Sequence, residues 1–72
     1  MQVYTVETDD DAVISIHQTY RGAVARCVER AKAAGSIHET FNGEHFRYHY
    51  KRKGVEFPIL GRLFIYQNDL ED

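Results

Sequence analysis

The stretch Ile37–Lys51, IHETFNGEHFRYHYK, decides the fold. Asn42-Gly43 at its centre is the dipeptide of a two-residue type I′ turn, in which both residues take positive φ. Strand alternation on either side of such a turn sorts the neighbours onto two faces. Ile37, Phe41, Phe46, Tyr48 and Tyr50 fall on one face, which reads as core. His38, Thr40, His45, Arg47, His49 and Lys51 fall on the other, a basic, histidine-rich ladder turned to water or a partner. With two turn residues, His38 stands opposite Arg47, and His45 and His49 flank it diagonally.

Upstream of this hairpin lies a helix signal. Thr19 is suited to the N-cap, and Tyr20, Ala23, Val24, Cys27, Val28, Ala31 and Ala34 recur at helical spacing. Gly35 supplies the C′ position. The helix runs from Tyr20 to Ala34, or from near Gly22 if that early glycine delays its start. Its inner stripe is of small residues, which permits close approach to a sheet. Glu29 can pair with Arg26 or Lys32 at i,i+3. Before the helix, Gln2–Glu7 and Ala12–His17 alternate as strands around the aspartate turn Asp9–Asp11. Ile14 and Ile16 are expected inward, Ser15 and His17 outward.

Downstream, Lys51-Arg52-Lys53-Gly54 reads as a tight connection with Gly54 at positive φ. Val55–Leu60 is extended, with Pro58 at an edge or bulge because it lacks a donor. Gly61 marks a bend, and Arg62–Gln67 is a strand that sets Leu63 and Ile65 against Phe64 and Tyr66. Residues 68–72 are a polar, acidic tail expected to fray. The expected fold class is α+β: an antiparallel sheet of four to five strands with one helix packed on one face, in the order β-β-α-β-β-β. Residues 1–72 read as one domain.

Length and charge bound the function. A chain of 72 residues buries a modest share of its surface and is marginally stable alone, which favours a homodimer. Cys27 is the only cysteine, so disulfide frameworks and the usual zinc-finger spacings are excluded. The start at Met1 shows no basic segment followed by an apolar run, and no apolar run approaches the ~20 residues that cross a bilayer. A cytoplasmic protein with no membrane partner is the expectation. Nine basic and eleven acidic residues nearly balance, so the whole molecule steers no polyanion. The charges are segregated, however: Asp9–Asp11 and the end are acidic, the middle basic.

Three constellations invite chemistry. His17, His38, His45 and His49 suggest a metal, but His45 and His49 stand four strand residues apart, ~13 Å, with Arg47 between them; the reading is no metal and no cofactor. Cys27 sits on the apolar stripe and reads as a small core residue rather than a nucleophile. Ser15, Thr19 and Ser36 have no base that sequence can place, and Glu39 and Glu44 are an unconvincing acid–base pair. There is no glycine-rich phosphate loop. The chain reads as no enzyme. The third constellation is nucleic acid: Arg47, Lys51, Arg52 and Lys53 are interleaved with Tyr48, His49 and Tyr50. Alternation weakens it, because Tyr48 and Tyr50 point away from Arg47 and Lys51.

In outline, a strand hairpin with an acidic turn, an alanine-rich helix and aromatic strands with an acidic tail resemble small accessory proteins of bacteriophages and other mobile elements. That resemblance implies a role in binding and inhibiting a larger host protein or complex, defence nucleases included. A sheet edge near Pro58, the charged ladder, the acidic turn and more aromatic rings than a small core needs favour an interaction role on their own. The expectation is therefore a non-enzymatic protein that binds, and inhibits, a larger protein or nucleoprotein complex. The residues expected to meet the partner are Asp9, Asp10, Asp11, His38, His45, Arg47, His49, Lys51, Arg52 and Lys53. The alternative is a small nucleic-acid binder using the 47–53 basic segment.

Overall fold

A computed structural model describes residues 1–69. Its elements are β1 (Gln2–Thr8), β2 (Val13–His17), α1 (Tyr20–Ala33), β3 (Ser36–Phe41), β4 (His45–Tyr50) and β5 (Ile59–Asp69). The five strands form one antiparallel sheet in the order β2-β1-β5-β4-β3. The helix lies across one face. This is the α+β arrangement that the periodicities imply.

The helix forms where its caps permit. Thr19 is extended and its Oγ1 accepts from Gly22 N–H at 3.0 Å, a cap that contributes about 1 kcal/mol. At the other end Gly35 takes φ 75° and donates to the Lys32 carbonyl at 3.0 Å. Ala23, Cys27 and Ala31 are fully buried at four-residue spacing, so the helix seats closely on Val6, Phe46, Tyr48, Leu63 and Ile65. Burying side chains such as Leu63 and Val6 contributes roughly 1.5–3 kcal/mol each. Arg26 donates to Glu29 at 2.8 Å on the solvent face.

Three local expectations are corrected. The central hairpin does not turn on two residues: Phe41 pairs with Phe46, leaving Asn42–His45 between them. Only Gly43 takes positive φ there, at 99°. Asn42 instead uses its side-chain oxygen, accepting from Glu44 N–H at 3.1 Å and His45 N–H at 2.8 Å. This local bond competes with the two-residue turn. Pairing is thereby offset by two residues, so His38 stands opposite His49, and Arg47 opposite Thr40. An offset of two preserves the faces, because side chains alternate with period two. A bulge between Ser36 and His38 then displaces Ile37, which is 59% exposed rather than core.

In β2 a bulge opposite Val6/Glu7 reverses the expected faces. Ser15 and His17 pair with Val6 and Tyr4 and so share the helix side, where His17 Nε2 lies 2.9 Å from Ser15 Oγ. Ile16 pairs with Thr5 and is turned outward, while Ile14 packs against the core.

The last strand is also different. Residues 51–58 form a loop, with Pro58 just before β5, and β5 is the middle strand of the sheet; the edges are β2 and β3. Gly61 is no bend. It lies within β5 opposite Tyr48, whose ring occupies the space a side chain would need. Asn68 and Asp69 pair with Val3 and Gln2; the rest of the expected acidic tail lies outside the described residues.

Candidate functional site

The face of the sheet away from the helix is uncovered. Register places His45 beside Phe64, Arg47 beside Arg62 and His49 beside Leu60 along the β4–β5 ladder, with Tyr66 two residues beyond Phe64. His38 and Thr40 flank them from β3. The rings form a row: His45 stacks on Phe64 with centroids 4.3 Å apart and planes 10° apart, and Phe64 lies 6.0 Å and 8° from Tyr66. His38 and His49 lie 5.8 Å apart.

Arg47 and Arg62 are the unusual pair. Both are exposed, and they are direct cross-strand partners. Like charges so placed destabilise a sheet. Among the described residues neither guanidinium makes an ion pair; the ion pairs are Met1–Asp69 and Arg26–Glu29. From His45 to Asn68 the chain carries Arg47, Lys51, Arg52, Lys53 and Arg62 against a single carboxylate, Glu56. Within a chain of net charge −2 this segment is therefore locally cationic.

His45 senses that field. Burial first, and then the Arg47 and Arg62 charges, hold His45 below the ordinary histidine value, with Glu44 opposing. His45 is therefore largely neutral at neutral pH. His45 Nε2 and His49 Nδ1 are shielded from solvent and have no hydrogen-bond partner among the described residues. Among the described residues no three of His, Cys, Asp and Glu gather as a metal site.

Beyond β5 the face changes character. Asn68 Nδ2 donates to Thr5 Oγ1 at 2.9 Å, and the Thr5 hydroxyl donates to Glu7 Oε2 at 2.9 Å. Val3 and Thr5 are buried in this polar ladder, while Val13 and Ile16 stand exposed at the β2 edge.

The residues singled out from sequence are thus only partly brought together. His38, His45, Arg47 and His49 do share the uncovered face. Lys51, Arg52 and Lys53 continue from the end of β4 in the 51–58 loop, where Val55 N–H closes a turn on the Arg52 carbonyl at 3.0 Å. Asp9, Asp10 and Asp11 are elsewhere: they join β1 to β2, across β5 from β3 and β4. Asp10 is engaged in its own turn. The Thr8 hydroxyl donates to its carboxylate and, with backbone N–H groups, holds it below the ordinary aspartate value. Asp11 takes φ 65°, which aspartate tolerates better than most residues.

Sequence reasoning missed Arg62, Phe64 and Tyr66. Their alternation against Leu63 and Ile65 was visible; the β4–β5 register that sets them beside Arg47 and His45 was not. Tyr48 and Tyr50 do point to the helix side, as alternation requires. Comparison with known proteins finds no matching family model, no matching curated protein and no matching solved structure, and the chemistry rests on this geometry.

Proposed function

We propose that this chain is a non-enzymatic binding protein that holds a single strand of nucleic acid along the uncovered face of its sheet. The carrying observation is the Arg47–Arg62 pair, two exposed guanidiniums side by side that make no ion pair among the described residues, next to the His45–Phe64–Tyr66 ring row. A phosphate between the guanidiniums relieves their repulsion. Bases stack on aromatic rings irrespective of sequence, worth ~1–3 kcal/mol per base. From the ring row to Lys51 is six residues along β4, ~20 Å by strand rise, a track for a few nucleotides. Lys51, Arg52 and Lys53 extend it at one end.

The test is fluorescence anisotropy with labelled single-stranded DNA and RNA oligonucleotides over a series of salt concentrations. Micromolar binding is expected, with affinity falling linearly in log salt and a slope of about −0.7 per phosphate contacted. Arg47→Glu with Arg62→Glu lowers affinity more than tenfold, and Arg52→Glu with Lys53→Glu shallows the slope. If the parent shows no saturable binding at low salt, the proposal fails.

A second reading has its own observation. Val13 and Ile16 are 53% and 60% exposed on the edge strand β2, whose free side can accept another strand from a protein partner. A protein that binds and inhibits a larger complex can use this edge together with the acidic turn. The reading predicts a stoichiometric protein partner retained by the Arg47/Arg62 variant after nuclease treatment and lost with Ile16→Lys.

A further inference from the structure

The sheet is staggered. β4 begins at His45, opposite Phe64, whereas β5 continues to Asp69. Among the described residues, β5 beyond Ile65 has no neighbouring strand on the side where β4 would lie. Ile65 N–H donates to the Glu44 carbonyl there at 2.8 Å. Backbone groups alternate sides along a strand, so the N–H and C=O of Gln67 point to that same side. Tyr20, the first residue of α1, meets Tyr4 edge-on, with ring centroids 5.7 Å apart and planes at 69°. The Tyr20 hydroxyl donates to the Gly43 carbonyl, tying the helix start to the β3–β4 connection.

The notch that remains is a cleft of about 440 Å³ lined by Tyr4, Tyr20, Glu44, Ile65, Tyr66 and Gln67. Among the described residues Glu44 is its only charged side chain, and its carboxylate makes no ion pair there. No lysine, arginine or histidine lines it. Three phenol rings, one carboxylate and the Gln67 carbonyl supply acceptors and π-systems, beside the single backbone donor of the same residue. Such a set matches a cation that also donates hydrogen bonds.

We propose that this cleft binds a primary ammonium group. The headgroup can come from a lysine side chain of a protein or from a free polyamine; both present –NH₃⁺ on an alkyl stem. The stem would lie along the rings and the –NH₃⁺ would meet Glu44. The inference stands on different observations from the nucleic-acid reading, although Tyr66 belongs to both surfaces, so Glu44 is the residue to change.

The experiment is a ¹H–¹⁵N correlation titration of the whole chain with n-butylammonium chloride at constant ionic strength. Saturable shifts are expected at Tyr4, Tyr20, Glu44 and Gln67 amides and not along Arg47–His49. Glu44→Gln, which leaves both backbone bonds of the turn in place, should weaken binding about fivefold. Spermidine binding tighter than Nα-acetyl-lysine methylamide assigns the site to polyamines; the reverse order assigns it to a protein lysine. Absence of saturation at tens of millimolar, or equal binding of the uncharged Nε-acetylated lysine derivative, overturns the proposal.

Discussion

Gly61→Ala is a small change aimed at a crowded point. A Cβ built on Gly61 falls 2.5 and 2.6 Å from Tyr48 Cε2 and Cε1 and closer still to Cζ, where ordinary contact begins near 3.4 Å. The Tyr48 ring would have to retreat by about 1 Å. It has little freedom to do so: it is 7% exposed, in the cluster under the helix, with Phe46 and Tyr50 at 6.3 and 5.8 Å. Overpacking of this kind costs roughly 1–3 kcal/mol. Against it stands the roughly 0.5–1 kcal/mol that alanine gains over glycine within a strand. A strongly clashing site belongs at the upper end of the first range, which leaves a net loss of about 2 kcal/mol. For a domain this size each kcal/mol moves Tm by roughly 4–8 °C, so a fall of about 8–16 °C is expected in a thermal melt followed by circular dichroism. The mechanism is specific to the ring. With Tyr48→Leu in the background, the added cost of Gly61→Ala should shrink by about 1 kcal/mol or more, a coupling read from a double-mutant cycle. If Gly61→Ala is as stable as the parent, or the cycle shows no coupling, the reasoning is refuted.

Two further outcomes are expected. Burial pushes the Cys27 thiol up to about 11, so a disulfide reagent at pH 8 should label native protein at least about a hundredfold more slowly than protein in denaturant; rapid native labelling would contradict the helix seating. His45 is held below its ordinary value in the folded state, so the unfolded chain binds more protons there as pH falls. Its contribution to stability is therefore full above about pH 6.5 and declines as pH drops through the ordinary histidine value toward the lowered one. His45→Phe keeps a ring over Phe64 and cannot charge, so urea midpoints at pH 7.5 and 5.5 should differ less for the variant than for the parent. Equal differences would dismiss this role.

How far the sequence could be read depended on parity and register. The two faces of the central hairpin were legible because alternation alone assigns them. They survived an error of two residues in the turn, since that shift leaves each side chain on its side. One residue of error reverses the assignment, and this is what the bulge in β2 does: Ser15 and His17 exchange places with Ile16. The helix was legible because its caps and its stripe agreed. The candidate site was half legible. Arg47 and the histidines lie within one continuous pattern, whereas Arg62, Phe64 and Tyr66 join them only through the long-range pairing of β4 with β5. Gly61 was read as a bend because an isolated glycine in a strand carries no sign of the ring that lies over it.

The position of β5 also constrains how the molecule can be made. Its N-terminal half completes the ladder with β4, and its C-terminal half joins residues 63–69 to residues 2–8, across nearly the whole described chain. Until those residues have emerged from the ribosome, β1 and β4 each keep an unpaired edge, and the helix has neither Leu63 nor Ile65 beneath it. The nascent chain can form its local hairpins and its helix but cannot close the sheet. Closing the sheet therefore waits on this segment and is slowed by its long loop closure, and until the segment emerges the nascent chain displays two adhesive strand edges.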